Sequence, residues 1–184
     1  TMRLNTGRWG TTEAIGEKNK FDVLMDNKGI EPPLEGYTEN DGFKWVIDSI
    51  EKCIPTAEKC GVVLGLENHW GLGLTSKGVM RIVNEINSPW LKVTLDTGNF
   101  FNNREKQMKE LAPHTYLIQA KTYYGGAKWP AFDQINIDYQ KIGELMRENN
   151  YRGYISLEFE GNELAETAVP KSLELLRNSF YYEL

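Results

Sequence analysis

Cysteine is nearly absent from this 184-residue chain: Cys53 and Cys60 are the only two. A disulfide framework is therefore not expected. Their i, i+7 spacing in one helical stretch predicts two small core residues instead. A reducing compartment is permitted, and a cytoplasmic location is the expectation. Basic blocks are missing too, and the net charge is −5, so no nucleic-acid partner is indicated. No run approaches the roughly 18 apolar residues of a membrane span, so no membrane partner is expected. No secretory leader is visible. Thr1-Met2-Arg3-Leu4-Asn5 reads like the interior of a protein, and preceding residues are expected.

What is present suits one globular domain with a real core, residues 1–184: 40% of the chain is hydrophobic and 26% charged. The chain is organised around residues 62–70, VVLGLENHW. An apolar run passes without a turn signal into a carboxylate, an amide and an imidazole. A buried parallel strand reads this way where it leaves the core, and α/β folds bind ligands at those carboxyl ends.

The rest of the chain repeats the design. Residues 2–7 (MRLNTG) read as a strand end entering a loop, with Arg8 and Trp9 placed to contact a ligand or to pack on the surface. Residues 10–37 form a long excursion with one apolar patch at 21–25; ordered loops of that length are often functional. Thr38 and Asp41 match a capping box, and Phe43, Val46, Ile47, Ile50, Ile54, Ala57 and Cys60 continue with helical spacing. Pro55 should kink that helix, and Gly61 should end it. Further strands are expected at 91–95, 116–120 and 154–159. Further helices are expected after Thr75 or Ser76, at 104–111, at 139–149 and at 168–180. Pro170 would sit in the last helix's first turn, with Leu173, Leu176 and Phe180 on its apolar face. Strict alternation implies parallel strands with right-handed crossovers. Five strands are too few for a closed eight-stranded barrel of about 250 residues. Either this is the last five βα units of such a barrel, or it is a complete open sheet.

Glu67, Asp96, Gln119 and Glu158 each fall at a strand's carboxyl end, separated by 29, 23 and 39 residues, each about one βα unit. Any one of them alone would read as a helix cap or a solvated loop group. Together, in a barrel, they converge on one mouth, where carboxylates repel and resist ionisation unless a divalent cation binds them. Glu160 shares the face of Glu158 and lies further out. Oxygen donors suit Mg²⁺ or Mn²⁺.

LENH, LDTGNF, the Gln-Ala-Lys strand and SLEFEG, in this order, resemble the xylose-isomerase-like TIM-barrel superfamily of sugar isomerases and epimerases. The resemblance covers roughly residues 37–180. It implies a (β/α)8 TIM barrel of which this chain holds the last five units. It also implies one divalent metal ion (Mn, Mg, Co or Zn) on Glu67, Asp96, Gln119 and Glu158, with Glu67 and Glu158 as acid/base groups. Gln119 departs from the family's usual His. Lys121 matches a substrate-contacting Lys, and Asn99 stands where several relatives have a substrate-binding His. His69, Arg8 and Trp9 complete the expected substrate contacts. The implied activity is isomerisation or epimerisation of a sugar or sugar phosphate through an enediolate. A polyol dehydratase, or a sugar-binding protein with an altered metal site, is the alternative. The related apurinic-site endonucleases need several His ligands, and only His69 and His114 are present. A homo-oligomer is left open.

Overall fold

A computed structural model describes residues 1–129, 132 and 136–181. Five strands form one parallel sheet: β1 (Met2–Leu4), β2 (Leu64–Glu67), β3 (Leu91–Asp96), β4 (Thr115–Thr122) and β5 (Tyr154–Phe159). Each strand pairs with the next in sequence, in the order β1-β2-β3-β4-β5. That order decides between the two architectures. An open doubly wound sheet reverses its strand order to cover both faces with helices. Sequential order with right-handed crossovers puts every helix on the same side. The fold is a half-barrel, part of a (β/α)8 barrel.

The helices on that side are α2 (Glu39–Cys60), α3 (Ser76–Ile86), α4 (Arg104–Leu111), α5 (Tyr139–Glu148) and α6 (Ala165–Ser179). Strand alternation sends Leu64, Leu66, Val93, Leu95, Ile118 and Ala120 towards them. There they meet Ile47, Ile50, Val79, Ile82, Leu111, Ile142, Met146 and Leu176 in one buried cluster. The opposite, concave face takes the polar side chains.

Local signals explain most boundaries. Thr38 and Asp41 form the full capping box, and Gly61 adopts the left-handed conformation that closes α2 (φ 64°). Pro55 does not end α2. Thr75 caps α3 through Gly78 N. Three expectations fail. Cys53 and Cys60 are exposed free thiols, because α2 turns the stripe Phe43, Ile47, Ile50 and Ala57 inward and carries both cysteines outside it. The last helix starts at Ala165, so Pro170 lies inside it rather than in its first turn; its cap position is Leu164, which offers no capping side chain. Leu173 is 37% exposed, while Ser172 is buried, bonded to Ala168 O and to Thr122 Oγ1.

The long excursion holds a seven-residue helix, α1 (Lys20–Asp26), capped by Asn19. Leu24 and Met25 pack with Ala127 and Phe132, against Phe21, Trp70, Phe101 and Tyr123. Apart from Phe21, which belongs to α1 itself, those partners follow β2, β3 and β4, so α1 roofs the carboxyl ends of the strands. Among the described residues no helix is long and apolar enough to cross a membrane.

Leu66 is fully buried between sheet and helices. Leu66→Ala should cost about 2–5 kcal/mol of stability, whereas Leu173→Ala should cost no more than about 0.5 kcal/mol. Urea unfolding midpoints of the two variants check both values.

Candidate active site

Glu67 and Asp96 are the last residues of β2 and β3, and both are fully buried. On β4, Gln119 lies opposite Asp96, and Lys121 lies opposite Glu158 of β5. All five face the concave side at its carboxyl rim.

Asp96 is held from three directions. Its Oδ1 accepts from Gly98 N (2.7 Å) and Asn99 N (3.0 Å). Its backbone N–H donates to Asn68 Oδ1 (2.7 Å), and Asn68 Nδ2 donates back to Asp96 O (2.9 Å). Asn99 Nδ2 then donates to Glu67 Oε1 (3.2 Å) and Asn68 O (3.0 Å). The ENH and DTGN segments are thus one interlocked unit. Gly98 is required in it: a Cβ there would sit 2.6 Å from Tyr123 Oη and 2.7 Å from Lys121 Cδ.

The other half of the site centres on Lys121. Its Nζ lies 3.1 Å from Glu160, 3.6 Å from Glu158 and 3.9 Å from Asp96. Gln119 Nε2 donates to Glu158 Oε2. Thr97 and Tyr139 fix the backbone of Lys121: its N–H donates to Thr97 Oγ1 (3.1 Å), and Tyr139 Oη donates to its carbonyl (2.6 Å).

Charge is crowded here. Burial, the largest influence, pushes the Glu67 carboxyl above its ordinary range, and Arg3 Nη1 at 3.3 Å only partly offsets it. Burial raises Asp96 well above its usual value; Lys121 opposes that rise, and the neighbouring Glu67 adds to it. Burial works against the Lys121 charge, but Asp96, Glu158 and Glu160 outweigh it and leave its pKa raised. Burial, with Lys121 and Arg3 close by, lowers His69 to about 4, so its imidazole is neutral at pH 7.

Four carboxylates (Glu67, Asp96, Glu158, Glu160) face two cations (Arg3, Lys121), a formal balance of −2. Glu67 Oε2, Asp96 Oδ2 and Asn99 Oδ1 are buried without a hydrogen-bond donor. The Arg3–Glu67 contact is an ion pair that lacks hydrogen-bond alignment. Among the described residues, no three Asp, Glu, His or Cys side chains gather as a ready-made metal cluster. Lys121 instead stands between Asp96 and the β5 glutamates. In donor chemistry the residues still fit a divalent cation: unpartnered carboxylate oxygens and a deficit of two positive charges.

The structure therefore brings Glu67, Asp96, Asn99, Gln119, Lys121 and Glu158 together. His69 and Arg8 line an adjoining cleft of about 280 Å³ with Asn5, Gly7, Phe21 and Trp70. Trp9 is not brought to the carboxylates. Its ring packs on α2, over Gly42 and edge-on to Trp45 at 6.0 Å, because Gly42 leaves the gap that the indole fills. The Gly-rich segment after β4 is a structural bridge. Ala127 pairs with Gly161, and the amides of Gly126 and Lys128 donate to Tyr123 O and Glu160 O. Sequence reasoning gave no role to Arg3 or Asn68. Period-two alternation along β1 was the available signal for Arg3, which lies opposite Gly65 on the face that also carries Glu67. Nothing comparable marks Asn68, whose contacts run to the backbone of another strand.

With this geometry, the comparisons with known proteins agree. The family model for the xylose isomerase-like TIM barrel matches residues 23–179, and the chain belongs to that family. Among solved structures it is similar to 3-keto-D-glucoside 4-epimerase YcjR from E. coli, at 15% identity and a TM-score of 0.66, covering 96% of this chain and 78% of that one. It is also similar to D-psicose 3-epimerase from Clostridium cellulolyticum H10, solved with D-tagatose (12% identity, TM-score 0.64, 99% and 78% coverage). The IolI protein, solved with a zinc atom, matches at 14% identity and TM-score 0.64, with 100% and 78% coverage. At these identities the likeness is one of fold. No match was found among curated proteins.

A carboxyl group whose pKa is raised on folding stabilises the protein below its unfolded pKa, and that contribution is lost as pH rises through the folded value. In the presence of EDTA, Asp96→Asn should therefore be more stable than the parent at pH 8, with a difference that shrinks towards pH 4. Thermal melts across that range measure it; a variant less stable than the parent at pH 8 contradicts the buried-charge account.

Proposed function

We propose that the chain is a divalent-metal-dependent isomerase or epimerase acting on a sugar or sugar phosphate through an enediolate. The observation that carries this reading is the pair of buried carboxylates, Glu67 and Asp96, each with one oxygen lacking a hydrogen bond at the rim of a half-barrel. The likeness to two sugar epimerases supports it.

In this reading Glu67, Asp96, Gln119 and Glu158 hold the ion. When bound, the cation supplies a Lewis acid that polarises a substrate carbonyl and offsets the charge of the enediolate. The residues do the rest. Glu67 moves the proton on carbon, through the carboxylate that Asn99 Nδ2 orients by its hydrogen bond to Oε1. Glu158 is the second acid/base group and returns the proton. Lys121 stays protonated and offers an N–H to a substrate oxygen. Asn99 fixes Glu67 and presents its free Oδ1 to a hydroxyl. Neutral His69 and Arg8 hold the far end of the substrate in the adjoining cleft, and α1 excludes water from above.

Glu158→Gln keeps the shape of the side chain and removes its base. Conversion of candidate ketoses to the epimer or isomer should fall by about 10²–10⁴-fold, with the thermal midpoint little changed. Undiminished product formation would remove Glu158 from the mechanism.

A further inference from the structure

Residues 10–37 are bonded to themselves and only packed against the rest of the molecule. Among the described residues, every hydrogen bond and ion pair of this segment is internal to it. Its two limbs are clasped together by Glu31. Oε1 accepts from Thr12 N (3.2 Å) and Thr12 Oγ1 (2.6 Å), and Oε2 accepts from Gly10 N (3.2 Å). Thr11 Oγ1 adds a bond to Pro32 O (2.7 Å). Gly10 and Gly36, at the two ends, hold positive φ (71° and 82°) with nothing within 4 Å of where a Cβ would stand. Such positions absorb backbone rotation at little cost.

The far end of the segment docks through α1. Leu24 and Met25 are buried with Ala127 and Phe132 in a small cluster separate from the main core. Clefts undercut the limbs. One of about 280 Å³ parts Ile30 and Glu31 from Leu72 and Gly78. Another of about 280 Å³ lies between Phe21 and His69. A segment with its own bonds, its own small core and open clefts beneath it opens at a lower free energy than the sheet does.

Glu67 and Asp96 have no solvent exposure beneath this roof, so a substrate has to gain entry. Resting on the reading of the rim as an active site, we propose that residues 10–37 are a lid that moves as one piece. Glu31 clasps its limbs, Gly10 and Gly36 are its hinges, and undocking of Leu24 admits a sugar to the rim. Redocking then shuts water out.

A single thiol placed under the lid reads its opening. Cys53 and Cys60, both exposed, are changed to Ser, and Ala127, 5% exposed and packed with Leu24, is changed to Cys. Reaction with 5,5′-dithiobis(2-nitrobenzoate) in EDTA should outpace global unfolding. Adding Leu24→Ala should speed it at least about tenfold, and adding Glu31→Ala by about three- to tenfold. The main urea transition should keep its midpoint in both, because the lid opens ahead of it. The proposal is overturned if the thiol reacts only as fast as the chain unfolds, or if either substitution leaves its rate unchanged. A midpoint lowered by Leu24→Ala as far as by Leu66→Ala overturns it as well, since the roof would then belong to the core. Should the reporter variant fail to fold, hydrogen exchange of the α1 amides, with and without Leu24→Ala, reads the same opening. No metal or sugar enters these measurements, so their failure is distinct from failure of the isomerase or epimerase reading.

Discussion

Glu67 and Asp96 both lie where water does not reach, and the cost of burying their charge is the constraint on which the site depends. Neither is held by chance. Asn99 ties Glu67 to the β3 exit, Asn68 clamps the backbone of Asp96, and two consecutive amides seat its Oδ1. The network fixes one oxygen of each carboxylate and leaves the other without a hydrogen bond, Glu67 Oε2 meeting only the Arg3 ion pair. Buried polar groups without partners are costly, and a fold keeps such groups where they have work to do. Arg3 and Lys121 offset part of the charge and leave a deficit that suits one divalent ion.

The half-barrel creates that situation through strand order alone. Sequential parallel pairing sends all the crossover helices to one side, so the apolar side chains of each strand are used there. The alternating residues have no helix to meet and are free to be polar. At the carboxyl rim this polar set becomes Glu67, Asp96, Gln119, Lys121 and Glu158. The α1 segment then closes over the rim through Leu24 and Met25, turning an open surface into a sheltered one. Lowered exposure strengthens every charge interaction beneath it.

Much of this was legible in the sequence where the signal is local. The Thr38–Asp41 box, the Gly61 stop and the bounds of α4 and β5 follow from spacing of a few residues. The four rim residues were legible because each ends an apolar run. What was hidden depends on distant partners. Leu173 reads as core, yet its neighbour Ser172 is the buried one. A hydroxyl satisfied by Ala168 O and Thr122 lets the serine take the inside position. Trp9 reads as a mouth residue, but the gap above Gly42 captures it. Cys53 and Cys60 fit a seven-residue spacing, yet the stripe of α2 that meets the core passes beside them. The seven residues of α1 are too few for a periodic pattern. Lys121 reads as one substrate contact among several, whereas in the fold it links three carboxylates. Strand spacing predicts the convergence of the carboxylates and is silent on the ammonium among them.

The central claim is that these oxygens share one cation. Anomalous diffraction from crystals grown with Mn²⁺ tests it directly. The account predicts a single strong peak at the rim of the half-barrel, bounded by oxygens of Glu67, Asp96, Gln119 and Glu158. A peak elsewhere, or Lys121 Nζ filling that position in crystals saturated with Mn²⁺, would contradict it.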